Sequence, residues 1–132
     1  MPKLRIFFAT NRDYLPNNKL TVFGGRFNPD GVAALRFGYA EFEADGGRLR
    51  LDETFVYPER KAKAAGTEPR FARKGSTGFL DDLRTAMKEG CTDTIVYIHG
   101  FNVSFVEALH AGAALSAQVA IDGKPVNVVV FS

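Results

Sequence analysis

The sequence predicts an α/β domain: N-terminal antiparallel strands lead into a β-α-β unit. Three observations carry this expectation. Two runs of alternating apolar and polar residues flank Asp45-Gly46-Gly47, a turn signal, and read as a hairpin. Two uninterrupted apolar runs, Thr94–Ile98 and Val126–Phe131, read as buried strands. Between them, Ser104-Phe105-Val106-Glu107 matches a helix-opening capping box, in which the serine hydroxyl bonds an amide three residues on and the glutamate can reach back. With 132 residues the chain has the size of one domain, long enough for a sizeable core. Residues 1–58 are expected to be mainly β, 59–75 a basic loop, and 76–132 a helix plus the β-α-β unit.

Taken in order, Leu4, Ile6 and Phe8 alternate with Arg5 and Phe7, a period-two strand. Ala9-Thr10-Asn11-Arg12 follows as a loop, and Asn28-Pro29-Asp30-Gly31 is a turn cluster. The hairpin is placed at about 33–43 and 48–57. Phe42 falls on the opposite parity to Phe37 and Tyr39, which suggests a bulge near Ala40. Phe79, Leu80, Leu83, Ala86 and Met87 recur at helical spacing; Ser76 or Thr77 can cap the start and Gly90 fits the stop. The second helix should run from Ser104 to about Ala120, and Ile121-Asp122-Gly123-Lys124-Pro125 ends it. Strands 94–98 and 126–131 should be parallel, joined by a right-handed crossover.

Composition narrows the function classes. The hydrophobic fraction is 45% and the charged fraction 24%, which argues against disorder and coiled coil. No apolar stretch approaches the roughly 20 residues that span a bilayer, so no membrane partner is expected. The N-terminus lacks the apolar run of a secretory signal, and Cys91, a single cysteine, rules out an internal disulfide framework; the expected compartment is the cytoplasm. A net charge of +2 is too small to imply a nucleic-acid partner. Between Glu59 and Lys74, however, six basic residues stand against two acidic ones. That segment reads as a mobile solvated loop or as an anion, nucleic-acid or partner surface. No phosphate loop, Gly-x-Gly-x-x-Gly motif or zinc-ligand spacing occurs, so no metal and no cofactor is expected.

The junction from Ile98 to Ser104 is the most informative place. A parallel strand ends there, a glycine permits a tight turn, and a helix begins at once. Ligands of open α/β sheets collect at the carboxyl ends of strands, and helix starts present free amides. An apolar strand followed by His99-Gly100-Phe101-Asn102 resembles the histidine-glycine oxyanion loop of the α/β-hydrolase fold. In detail the chain is similar to an uncharacterised bacterial branch of those hydrolases. That branch carries an Ala-Thr-Asn-Arg segment, matched by Ala9–Arg12. It carries a His-Gly-Phe/Tyr-Asn-x-Ser-Phe loop, matched by His99–Phe105. It also has a strand ending Phe-Ser, matched by Phe131-Ser132.

The resemblance implies a truncated α/β-hydrolase-like mixed sheet and a parent reaction of serine-dependent hydrolysis of an ester or related acyl bond. It assigns the Phe101 main-chain N–H as an oxyanion donor, with Gly100 permitting the turn and His99 and Asn102 bracing the loop. One such donor is worth roughly 3–4 kcal/mol in the transition state. The family's Gly-x-Ser-x-Gly elbow is absent from this sequence, and so is a base histidine downstream of it. The chain therefore resembles the N-terminal half only, with the nucleophile absent, and should be inactive alone. In the family's sheet, strand 94–98 is third and strand 126–131 fourth, and the fifth, which would flank 94–98, is missing. Strand 94–98 should then be an open edge, and the chain should associate as a homodimer or with a complementing C-terminal half.

Other reactive side chains carry blander readings. His99 also fits an ordinary strand-end histidine. His110 lies within a helix, Ser104 fits a helix cap, and Cys91 has no evident activating partner. Asn11-Arg12 fits either a strand-terminating turn or part of the site wall. Asp81 and Asp82 are adjacent on a helix and point to different faces, so they do not form an acid/base pair. The rival function is a non-catalytic binding or assembly module working through the sheet edge or the basic loop, or one half of a split hydrolase.

Overall fold

In the computed structural model, the described residues are 3–14, 23–27, 35–45, 48–57, 60–62, 70–73, 75–90, 93–98, 103–121 and 124–132. The strands are β1 (Lys3–Thr10), β2 (Arg12–Tyr14), β3 (Phe23–Phe27), β4 (Arg36–Asp45), β5 (Arg48–Val56), β6 (Arg60–Ala62), β7 (Arg70–Arg73), β8 (Thr94–Ile98), β9 (Ala120–Ile121), β10 (Lys124–Pro125) and β11 (Asn127–Phe131). The helices are α1 (Gly75–Gly90) and α2 (Phe105–Gln118). Five strands form one mixed sheet in the order β5-β4-β1-β11-β8. β1, β11 and β8 run parallel, whereas β4 is antiparallel to both β1 and β5. The fold is thus α/β, and β8-α2-β11 is its β-α-β unit.

Both faces of the sheet are covered because β1, β4 and β11 alternate two apolar sets. Ile6, Phe8, Ala40, Phe42, Val128 and Val130 point to one face and pack under Phe105, Ala108, Leu109 and Ala113 of α2. Phe7, Tyr57, Phe79 and Val129 form the second core, flanked by Phe37, Tyr39, Phe55, Leu83 and Ala86. α2 lies so close to the sheet that a Cβ at Gly112 would overlap the Val130 side chain. At the opposite end of the second face the aromatics give way to ion pairs, Arg5–Glu41 at 2.7 Å and Lys3–Asp52 at 3.2 Å.

Several expectations change here. β4 pairs with β1 without interruption from Lys3↔Glu43 to Thr10↔Arg36, so β4 takes no extra residue of its own near Ala40. Phe42 has the other parity because it serves the α2 core, and a strand covered on both faces needs no kink to bury both sets. The irregularity sits in β5: Glu41 faces Glu53 and Phe42 faces Leu51, which leaves Asp52 as the extra residue. β1, not a strand of the hairpin, lies beside β11 and runs parallel to it. On α1, Phe79 is buried and Leu83 and Ala86 pack inward, but Leu80 is 51% and Met87 36% exposed. In the segment expected as a basic loop, the backbones of β6 and β7 pair antiparallel as a short ribbon. Among the described residues no helix is long and apolar enough to cross a membrane.

α1 is pinned to the sheet by one polar contact within an aromatic cluster. The Tyr57 hydroxyl donates to Asp82 Oδ2 at 2.5 Å, and the Tyr57 ring meets Phe79 edge-on. Burial and this hydrogen bond raise the Tyr57 phenol well above its usual value of about 10. The unfolded chain therefore ionises first as pH rises. The contribution of Tyr57 to stability is complete below about pH 10 and is lost above it. Tyr57→Phe should cost about 1–2 kcal/mol at pH 7 and flatten the alkaline loss of stability, read from urea melts at neutral pH and above pH 10.

Candidate functional site

The carboxyl ends of the three parallel strands lie side by side. Ala9 of β1 is registered with Phe131 of β11, and Phe131 with Ile98 of β8. Ligands of open α/β sheets are expected at this edge. α2 starts beside it, and its first turn is closed as the capping box predicts, with Glu107 N–H donating to Ser104 Oγ at 3.2 Å. A hydroxyl held as a cap is not poised as a nucleophile, which favours the blander reading of Ser104.

Arg12 is the organising side chain of this edge. Its Nε donates to Ser132 Oγ at 2.8 Å, one terminal nitrogen to the Val103 carbonyl at 2.5 Å, and the other to the Gly24 carbonyl at 3.4 Å. A planar guanidinium can engage several acceptors at once in fixed directions, which an ammonium cannot do. Half-burial lowers its pKa, with the neighbouring Asp13 opposing that shift. The group stays charged, because arginine starts from a value above about 12.

Thr10 completes the arrangement. It is fully buried, its hydroxyl donates to the Ser132 carbonyl at 2.7 Å and accepts from the Arg12 N–H at 3.1 Å. The Ser132 N–H in turn donates to the Ala9 carbonyl at 3.1 Å. The β1 terminus is thereby knotted to the β11 terminus through both backbone and side chain. Thr10 was not singled out from the sequence. The available signal was a strand-ending threonine two residues before another amide, the spacing at which a hydroxyl caps its own turn.

The structure brings together the three segments on which the family resemblance rests. Arg12 comes from the first, Val103 from the second and Ser132 from the third, and all three meet at one guanidinium. The contacts make Arg12 a tie between the β11 terminus, β3 and the approach to α2, more than a turn residue alone. His99, Gly100, Phe101 and Asn102 lie outside the described residues, as does Cys91. No family model, curated protein or solved structure matches this chain.

The remaining candidates are dispersed. His110 is exposed on α2 with its ring edge-on to Phe42, centroids 5.0 Å apart. The Asp82 carboxylate serves Tyr57, and the Asp81 main-chain carbonyl accepts from Thr85 Oγ1 at 3.0 Å within the helix. Among the described residues no group of three or more His, Cys, Asp or Glu is placed to hold a metal ion. What these residues can do is hold the ends of β1 and β11 and the start of α2 together.

Proposed function

We propose that this chain is the N-terminal portion of a serine hydrolase acting on an ester or related acyl bond, inactive by itself. The Phe101 N–H would be its oxyanion donor, and His99, Gly100 and Asn102 its supporting loop. The observation that carries this reading is the convergence of Arg12, Val103 and Ser132 at the carboxyl edge of a parallel β-α-β unit. A tie of this kind suits a site that must hold a main-chain donor still while charge develops on a substrate oxygen. The single cysteine fits a reducing compartment, the cytoplasm.

The test is an esterase assay with a short-chain acyl ester. The isolated chain should show no turnover. Co-expression with the polypeptide encoded downstream of the Ser132 codon should restore it. Phe101→Pro, which deletes the donor N–H, should then lower kcat about 10²-fold or more. Turnover by the isolated chain that Cys91→Ser or Ser104→Ala abolishes would place the nucleophile in these residues and sink the proposal.

A second reading, an assembly module, is favoured by a specific observation. Val96 and Ile98 on the sheet-edge strand β8 are 62% and 71% exposed.

A further inference from the structure

The two edges of the sheet are built differently. β5, one edge, carries Arg48, Arg50, Asp52 and Glu53, all exposed, and its register breaks at Asp52. Charges and bulges on an edge strand oppose pairing with another chain. β8, the other edge, reads Thr94-Ile95-Val96-Tyr97-Ile98, with no charge, no proline and no register shift against β11. Its outer backbone groups have no neighbouring strand among the described residues. Val96 is registered with Val129 and Ile98 with Phe131, so both face the α1 side of the sheet, where Val129 joins the second core. The other face of β8, Ile95 and Tyr97, packs against the α2 core.

An incoming strand must therefore be uncharged and apolar on both faces. Within the five-stranded sheet, β1, β4 and β11 are already paired on both sides and β5 is charged. β8 itself is the one strand of that sheet that meets the requirement with an edge to spare. We infer that the occupant is β8 of a second copy of this chain, paired antiparallel about a two-fold axis through Val96. This rests on the assembly reading above, not on the acyl-transfer one. The full-length register sets Val96 opposite Val96, Ile95 opposite Tyr97 and Thr94 opposite Ile98, and joins the two sheets into one of ten strands. The alternative of β8 against β5 of the next copy would grow an open chain of copies. It would set β5's charges beside Val96 and Ile98, where desolvating them is costly. The association therefore closes at two.

Sedimentation equilibrium from low to high micromolar should give a reversible monomer–dimer system and nothing larger. Val96→Lys should weaken the dimer at least tenfold with unchanged far-UV circular dichroism, since Val96 is mostly exposed in the single chain. Arg50→Ala on β5 should leave it intact. In a Cys91→Ser background, oxidised Val96→Cys should cross-link two copies, because facing residues lie about 4.5–5.5 Å apart. Thr94→Cys should not, because in this register the two Thr94 positions are about 13 Å apart. A wild-type monomer at every concentration overturns the second copy as occupant, while leaving β8 open to a different strand. A dimer that resists Val96→Lys and fails to cross-link at Val96 overturns both this inference and the assembly reading of β8. Species larger than a dimer overturn closure at the β8 edge.

Discussion

Arg12→Ala should destabilise the chain by about 3 kcal/mol, a large share of the roughly 5–15 kcal/mol that holds a domain of this kind folded. The loss has an identifiable origin. The buried Ser132 loses the donor to its hydroxyl, and the Val103 carbonyl loses a charge-assisted partner at 2.5 Å. Hydrogen bonds to charged groups are worth about 1.5–3 kcal/mol each, and stranded acceptors add their desolvation cost. Arg12→Lys should recover only a minor part, because one ammonium cannot reach the Ser132 hydroxyl and the Val103 and Gly24 carbonyls together. Urea melts measure the effect as a lower midpoint at unchanged slope. Hydrogen exchange then separates the tie from general weakening: the amides of β11 and the first turn of α2 should lose protection first. If those amides keep wild-type protection in Arg12→Ala, the guanidinium is not what holds the strand ends together.

Gly38→Ala should be at least as damaging, about 3 kcal/mol or more. Gly38 lies in β4, between β1 and β5, and is buried. A Cβ there would overlap the Phe55 carbonyl of the neighbouring strand and the ring of Phe8. The carbonyl belongs to the backbone ladder and cannot rotate away. The Phe8 ring is itself held edge-on by Phe23 and Phe105. Relief needs β4 and β5 to separate, which breaks their pairing. Soluble yield and the urea midpoint are the readouts. A Gly38→Ala variant as stable as wild type would mean the strands can part without loss, contrary to the close packing of both cores.

Much of this architecture was legible in local pattern. The serine half of the capping box forms as its spacing predicts, with Glu107 N–H on Ser104 Oγ, because that bond spans one turn and needs no tertiary partner. The hairpin around 46–47 and the parallel pair β8 and β11 also follow from period and connection length. Where the reading failed, tertiary contacts decided. Period two cannot say which of two covered faces a residue serves, so Phe42 looked like a bulge when it was core. Helical spacing groups Leu80 and Met87 with Phe79, yet it cannot tell how wide a stripe the sheet covers, and both stay exposed. The run at 94–98 implied cover on both faces, but a strand at the sheet's end has Val96 and Ile98 in solvent.

By itself, then, the sequence determined the class of fold and the helix start at Ser104, since short-range periodicity, capping chemistry and loop length act over a few residues. Only the tertiary structure decided that β1 lies between the hairpin and the β-α-β unit, and that Arg12, Val103 and Ser132 meet. The physical reason is distance along the chain. Arg12 and Ser132 are 120 residues apart in sequence, and no local preference encodes a contact whose two halves are brought together by the pairing of β1 with β11.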